Sequence, residues 1–208
     1  MIAEIVVGPS NLTNGNQRIA RGARDGAVVT QDAGPQYQET VRNGEMFIAS
    51  TPAAGVTVSL YSAVINQFLF YNPANSRVNA LIDLVTIGYV SGTMVAGHLC
   101  FGSSGSTLQA SPGTLTGITA TNAMVGGGAT NACLVYSPGT VVTALTYLRP
   151  IQISQVAQTA AGTNAPWLGY EEVKGRIGVA PGALLSIAAN VAAAVVATIS
   201  IHWKEVPV

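Results

Sequence analysis

Short runs of alternating apolar and polar residues, separated by Gly and Pro, cover most of the chain from residue 36 onward. A period of two is typical of β-strands that bury one face. In segment 195–203 the apolar positions are Val195, Ala197, Ile199, Ile201 and Trp203. In NQFLFYNP, Phe68 and Phe70 alternate with Leu69 and Tyr71. The regular spacing of such runs, with ALIDLVTIGYV as a central strand, predicts an all-β sandwich or barrel.

Two stretches predict hairpins. Asn43-Gly44 lies between QYQETV and EMFIAS, and this dipeptide favours a tight turn between two strands. The segment 184–203 has the length and apolar character of a membrane span, and Ala192–Ala194 favours helix. Its second half nevertheless places Thr198, Ser200 and His202 on one strand-like face. We therefore predict two strands that turn between residues 190 and 194, and no membrane span.

The first 35 residues differ from the rest, because they are polar, rich in Gly and weakly patterned. We predict an extended N-terminal arm over residues 1–35 and a sandwich domain over residues 36–208. Three arginines recur at intervals of three in the arm, at Arg18, Arg21 and Arg24. They either form a solvated face or bind an acidic surface of a partner protein. The few aromatic neighbours give no indication of nucleic-acid stacking.

Charge is scarce, since charged residues make up 9% of the chain and the formal net charge is zero. This balance favours neither nucleic acid nor an anionic membrane as a partner. The 125 residues from 46 to 170 carry three charges, at Arg77, Asp83 and Arg149. Such a surface is either solvated by Ser, Thr, Asn and Gln or faces other protein. We predict an obligate oligomer or a subunit of a larger assembly.

Residues with catalytic or metal-binding potential are few. His98 and Cys100 would share a strand face, but a zinc site needs three or four ligands. Cys100 and Cys133 are predicted as two buried thiols, with one bridge as the alternative. Asp83 stands in an apolar strand and is expected to form a structural ion pair with Arg77 or Arg149 at a subunit interface, with an active-site role as the alternative. No catalytic, cofactor-binding or metal-binding residue is predicted, and the protein is expected to be non-enzymatic.

The overall texture resembles a known group of virion proteins. The segments that carry the likeness are ARDGAVVTQDAGPQYQETVRNGEMFIAS, AGVTVSLYSA, FYNPANSRVNALIDLV and PGALLSIAANVAAAVVATISIHWKEVPV. Together they resemble the jelly-roll cement (decoration) proteins of tailed bacteriophages, above all in NPANS and the terminal IHWKE. The resemblance implies a jelly-roll β-sandwich, a homotrimer, and an arm or base docked on the major capsid protein at the capsid surface of the virion. It brings no catalytic residues. The alternative is a receptor- or glycan-binding tail or head-fibre protein that uses the loops in 103–130.

Overall fold

The computed structural model describes residues 37–93, 97–104, 108, 113, 115–154, 168–192 and 194–208. The predicted arm, with Arg18, Arg21 and Arg24, lies outside them. Within the described residues the chain forms one short helix, α1 (Gln38–Arg42), and thirteen strands, which confirms the all-β class. In chain order the strands are β1 (Met46–Ser50), β2 (Val56–Thr57), β3 (Ile65–Asn66), β4 (Leu69–Tyr71), β5 (Val78–Thr93), β6 (Gly97–Ser103), β7 (Leu115–Ile118), β8 (Thr121–Asn122), β9 (Leu134–Thr140), β10 (Thr146–Ser154), β11 (Leu168–Val179), β12 (Leu184–Ala189) and β13 (Ala194–Pro207).

The strands form two antiparallel sheets. The first sheet has the order β11-β5-β13-β1-β8, and β2 pairs with one end of β13. The second sheet has the order β10-β6-β12-β4-β9-β3, and β7 pairs with β9. Buried apolar side chains from both sheets belong to one core cluster. The two sheets therefore pack face to face as a β-sandwich.

A nested pairing of eight strands gives the sandwich its jelly-roll topology. β1 pairs with β13, β4 with β12, β5 with β11 and β6 with β10, each time antiparallel. Along the chain, the first of these eight strands thus pairs with the last, the second with the seventh, and so on inward. This is one antiparallel ribbon wound into two sheets, as in a jelly roll. The insertion between β6 and β10 contains β7, β8 and β9 and extends both sheets.

The inward face of β13 supplies a large part of the core. Its alternating apolar residues from Val195 to Trp203 are each at most 1% exposed, which confirms the strand predicted there. The ring of Trp203 meets Phe70 edge-on at a centroid distance of 5.1 Å and lies 5.8 Å from the tilted ring of Phe47. Aromatic pairs of this kind contribute about 0.5–1.5 kcal/mol beyond their burial. Trp203 therefore fastens β13 to β1 in its own sheet and to β4 in the opposite one.

The second sheet also buries the centre of its outer face. Every residue of β12 is buried, although a strand with one solvated face would alternate. A separate apolar cluster contains Leu69, Tyr71, Val141, Leu145 and Leu184. Phe68 and Phe70 belong to the main core instead, as their alternation with Leu69 and Tyr71 predicts. The turn between β9 and β10 thus covers the outside of β4 and β12.

The hairpin predicted at Asn43-Gly44 is wrong. The residues before it form α1, and Gly44 ends that helix with a φ of 70°. The N–H of Gly44 donates to the carbonyl of Val41 at 3.0 Å, and the N–H of Glu45 donates to that of Thr40 at 3.1 Å. These two bonds make a Schellman motif, for which Asn-Gly is as well suited as for a hairpin turn. The signal therefore marks a helix end.

The hairpin predicted over the segment 184–203 is wrong in its pairing. Both strands exist, as β12 and β13, and the change of direction falls near the predicted residues. However, β12 pairs with β4 and β6, whereas β13 pairs with β1, β2 and β5. The chain crosses from the second sheet to the first between them. Alternation predicts that a strand has a buried face but does not specify its partner.

The edge strand β11 contains a wide excursion. Glu172 pairs with Leu84 and Ile177 with Ile82, so four residues of β11 stand opposite the single residue Asp83 of β5. Within the excursion Lys174 has a φ of 51° and Gly175 a φ of 73°. Both lie in the left-handed region, where Gly is favoured. The excursion interrupts the regular ladder at the outer edge of the first sheet.

Candidate functional site

Formal charge is divided unevenly between the two sheets. The strands of the first sheet carry Asp83, Glu171, Glu172, Lys174, Arg176, Lys204 and Glu205. Among the described strand residues of the second sheet, Arg149 on the edge strand β10 is the one formal charge. The centres of protein interfaces are depleted in charged residues. The second sheet is therefore the face better suited to contact other protein.

An apolar edge patch, made of Val64, Ile65 and Val142, lies at one end of the second sheet. Ile65 of β3 pairs with Thr140 of β9, and the N–H of Val141 donates to the carbonyl of Val64 at 2.8 Å. These backbone contacts place the three residues at the same end of the sheet. They are 53%, 54% and 76% exposed, respectively. Large exposed apolar side chains at one place on a surface are typical of a contact surface.

Three aromatic rings form a group on the outer face of the second sheet. The hydroxyl of Tyr147 lies 3.1 Å from Nε2 of His98, and the rings of Tyr61 and His98 both meet that of Tyr147 edge-on. Leu99 and Phe101, which alternate with His98 along β6, point into the core. Exposed rings with hydrogen-bonding atoms at their rims combine an apolar body with a polar tip. This tyrosine group is a candidate platform for a sugar ring.

Arg149 links the two sheets at the open edge of the sandwich. Its Nη1 donates to Oε1 of Glu171 at 2.7 Å, and its guanidinium lies 5.0 Å from the ring centre of Phe101. Arg149 and Phe101 lie in the second sheet, and Glu171 lies in the first. The ion pair is partly exposed, at 34% and 24% of the two side chains. Arg149 therefore joins β10 to β11 through Glu171, whereas the sequence named Asp83 as its partner.

Asp83 lies half-buried on β5, opposite the excursion of β11. Its negative charge acts on His202: burial lowers the pKa of His202, and Asp83 offsets part of that shift. Arg77 lies in the turn before β5 with a φ of 60°, and its carbonyl accepts the N–H of Val208 at 3.1 Å. An ion pair of Asp83 with Arg77 or Arg149 stays a prediction.

Cys100 and Cys133 are both buried and free, which confirms the expectation of two separate thiols. Burial raises the pKa of Cys100 to about 11. Burial and the nearby Glu205 carboxylate also raise the pKa of Cys133. Since the thiolate is the nucleophilic form, both side chains are unreactive at neutral pH.

Glu205 binds the chain just before β9. Its Oε1 accepts the N–H of Cys133 at 2.9 Å and Nε1–H of Trp203 at 3.1 Å, while the N–H of Ala132 reaches Oε1 and Oε2 at 3.0 and 2.9 Å. Backbone bonds to an ionised carboxylate are stronger than bonds between neutral groups. Glu205 thus attaches the insertion that contains β7, β8 and β9 to the last strand.

Within the described ranges, no group of three His, Cys, Asp or Glu side chains is placed to hold a metal ion. No helix found there is long and apolar enough to cross a membrane.

Comparisons with protein-family models, with curated proteins and with solved structures find no match to this chain. Its function is therefore argued from the fold and the surface.

Several residues that define these surfaces gave little sign in the sequence. Glu171 and Arg176 belong to the charge-rich run EEVKGR, whose density of charge was the one available signal. Tyr147 stands 49 residues from its partner His98. Pattern alone does not pair residues that far apart. The division of charge between two sheets likewise depends on strand order, which alternation leaves open.

Proposed function

We propose that this chain is a non-enzymatic structural subunit of a phage capsid: a homotrimeric cement protein that reinforces junctions between major capsid proteins. The observation that carries the proposal is the second sheet, whose described strands carry one formal charge, with the apolar edge patch beside it. A surface of that composition is stabilised by burial against other protein. The resemblance of the sequence to phage cement proteins supports the same assignment. The Arg-rich arm supplies a second contact, with acidic surface on the capsid.

The proposal divides into an oligomer contact and a capsid contact, and each has its own test. For the oligomer contact, Val142→Glu places a charge in the apolar edge patch, and Tyr170→Glu is the matched control on the first sheet. Tyr170 is 72% exposed, close to the 76% of Val142. Burying an unpaired carboxylate costs several kcal/mol, so Val142→Glu is expected to dissociate the trimer.

Light scattering at micromolar concentration measures the result. The wild-type chain and Tyr170→Glu are expected to be trimers, and Val142→Glu a folded monomer by circular dichroism. A monodisperse wild-type monomer contradicts the predicted trimer. If Val142→Glu is still a trimer, the apolar edge patch is not part of the contact between subunits.

For the capsid contact, we expect deletion of residues 1–35 to leave a folded trimer that no longer binds capsids. Binding only the assembled shell stabilises that shell by mass action, so the full chain should also raise its melting temperature. Occupancy on purified shells is measured by sedimentation. Full occupancy by the truncated chain contradicts the role of the arm. A variant of the whole chain that combines Arg18→Gln, Arg21→Gln and Arg24→Gln keeps the length of the arm and removes its arginine charge. It tests whether capsid binding needs that charge.

A second candidate is a receptor- or glycan-binding protein of the phage tail or head fibre, which the tyrosine group favours. Parts of the loops in 103–130 also remain candidates; residues 105–107, 109–112 and 114 lie outside the described residues. In this role, free protein blocks phage adsorption and binds a glycan array, and Tyr147→Ala abolishes both. Binding that survives Tyr147→Ala excludes the platform.

A further inference from the structure

A cavity of about 560 Å³ lies at the open edge of the sandwich. Its lining residues are Leu148, Arg149, Arg176, Ile177 and Gly178. The first two belong to β10 of the second sheet and the others to β11 of the first, so the cavity spans both sheets. Sites for small molecules have volumes of about 300–1,000 Å³ and combine apolar walls with a few polar groups.

The two guanidinium groups of this cavity differ in their partners. Arg149 is bound to Glu171 and packs on Phe101, as described above. Arg176 has no ion pair or hydrogen bond with any side chain in the described part of the molecule. The charged residues that line the cavity are both cations, with Glu171 bound to Arg149 and with Asp83 of β5 opposite the excursion that contains Arg176. Arg176 keeps the five N–H donors of its planar fork available for a ligand.

A second charged pair lies next to Arg176 on the edge strand. Lys174, two residues earlier in the same excursion, is paired with Glu172 at 2.6 Å. A charged pair on an edge strand already disfavours pairing with another sheet. Arg176 instead borders a cavity whose apolar walls are Leu148 and Ile177. Leu148 is 45% exposed, and Ile177 is 8% exposed.

We propose that this cavity binds a small organic anion, a carboxylate on an apolar body. Arg176 binds the carboxylate through two parallel N–H···O bonds, the geometry that matches its fork. Arg149, held in place by Glu171 and Phe101, adds positive charge from β10. The apolar body packs on Leu148 and Ile177. The site is independent of the proposed capsid role, because it lies at the edge between the sheets and not on the uncharged face.

The test uses three probes on the full-length protein: hexanoate, inorganic phosphate and hexanol. Hexanoate carries both charge and apolar body, phosphate the charge alone, and hexanol the apolar body alone. We expect hexanoate to bind at least about tenfold more tightly than either, by calorimetry or by shifts of the backbone amides of 176–178. If phosphate binds as tightly as hexanoate, the apolar body does not contribute and that part of the proposal fails. If hexanol binds as tightly as hexanoate, Arg176 does not bind a carboxylate there.

Variants at two neighbouring positions distinguish specific binding at Arg176 from nonspecific electrostatic attraction of the anion. Arg176→Gln is expected to weaken hexanoate binding at least about tenfold, and Arg176→Lys to restore part of it, since Lys keeps the charge without the fork. Lys174→Gln removes the same charge two residues away and should leave binding unchanged. An equal loss in Lys174→Gln, or none in Arg176→Gln, overturns the site. Because Arg176 has no side-chain partner among the described residues, its variants should unfold at the wild-type urea concentration.

Discussion

At Glu205, one carboxylate joins two parts of the chain that are 73 residues apart. It accepts bonds from the N–H groups of Ala132 and Cys133 and from the indole of Trp203. Those donors lose their water when the insertion packs on β13, so each needs an acceptor. Glu205 supplies it with two oxygens. The attachment of the insertion thus depends on one side chain in the strand that also anchors the core.

Replacing Glu205 is expected to destabilise the protein. Glu205→Ala leaves the N–H donors without an acceptor, and we expect a loss of about 2–4 kcal/mol in the free energy of unfolding. Glu205→Gln keeps one acceptor oxygen and should lose about half as much. Urea denaturation followed by tryptophan fluorescence measures both. Glu172→Gln, which breaks the exposed pair with Lys174, is the control and should change stability by less than about 0.5 kcal/mol. Equal effects in all three variants contradict the role of the Glu205 bonds.

Among the elements, β11 shows how an edge strand is kept from pairing with a neighbour. It is twelve residues long and stands at the end of the first sheet, where its outer backbone groups have no partner among the described strands. A long regular edge is a template for another chain. The excursion interrupts that template near its centre, because four residues of β11 stand opposite Asp83 alone. Two of the four, Lys174 and Gly175, have positive φ. The excursion therefore limits association through this edge.

Deleting Lys174 and Gly175 tests this function of the excursion. Two residues would then remain opposite Asp83, which is the count of an ordinary β-bulge. We expect the shortened chain to associate further in a concentration-dependent way, beyond the wild-type oligomer, because a straighter edge is available for pairing. Analytical ultracentrifugation over a range of concentrations detects the added species. Gly175→Asn, which tolerates positive φ, keeps the excursion and should behave as wild type. Identical profiles for the deletion and the wild type contradict the idea.

The elements also show where sequence reasoning succeeds and where it stops. The strand from Val195 to Trp203 was predictable, because alternating burial is written in adjacent residues. The topology around it was not, since β12 and β13 look the same in a hairpin as in a crossing between sheets. The burial of both faces of β12 depends on Val141 and Leu145, about forty residues away in the chain. The Asn-Gly signal was real, but two local structures share it.

For the whole molecule, the charge on His202 couples stability to pH. Its folded-state pKa lies below the usual 6.5, because burial disfavours the charged ring more than Asp83 favours it. The unfolded chain therefore binds more protons between the two values, and stability falls as the pH drops through 6.5 toward the folded pKa. Above that window the contribution is complete.

We expect the free energy of unfolding to fall between about pH 7.5 and about pH 5.5. His202→Gln should flatten this dependence. Asp83→Asn should steepen it, because the charge that offsets the shift is gone. Urea midpoints at several pH values provide the measurement. A slope that is the same in wild type and His202→Gln assigns the dependence to another group.

The nested ribbon also determines when the molecule can fold. β1 is made early, yet its main partner β13 is the last strand of the sandwich, and β5 needs that same strand along nearly its whole length. Contacts between such distant residues form slowly, since the intervening loop must close first. On the ribosome, the first sheet therefore lacks its central strand until residues 194–207 have emerged. The sandwich is completed only when β13 becomes available, and until then the exposed edge of β5 is open to chaperones and to aggregation alike.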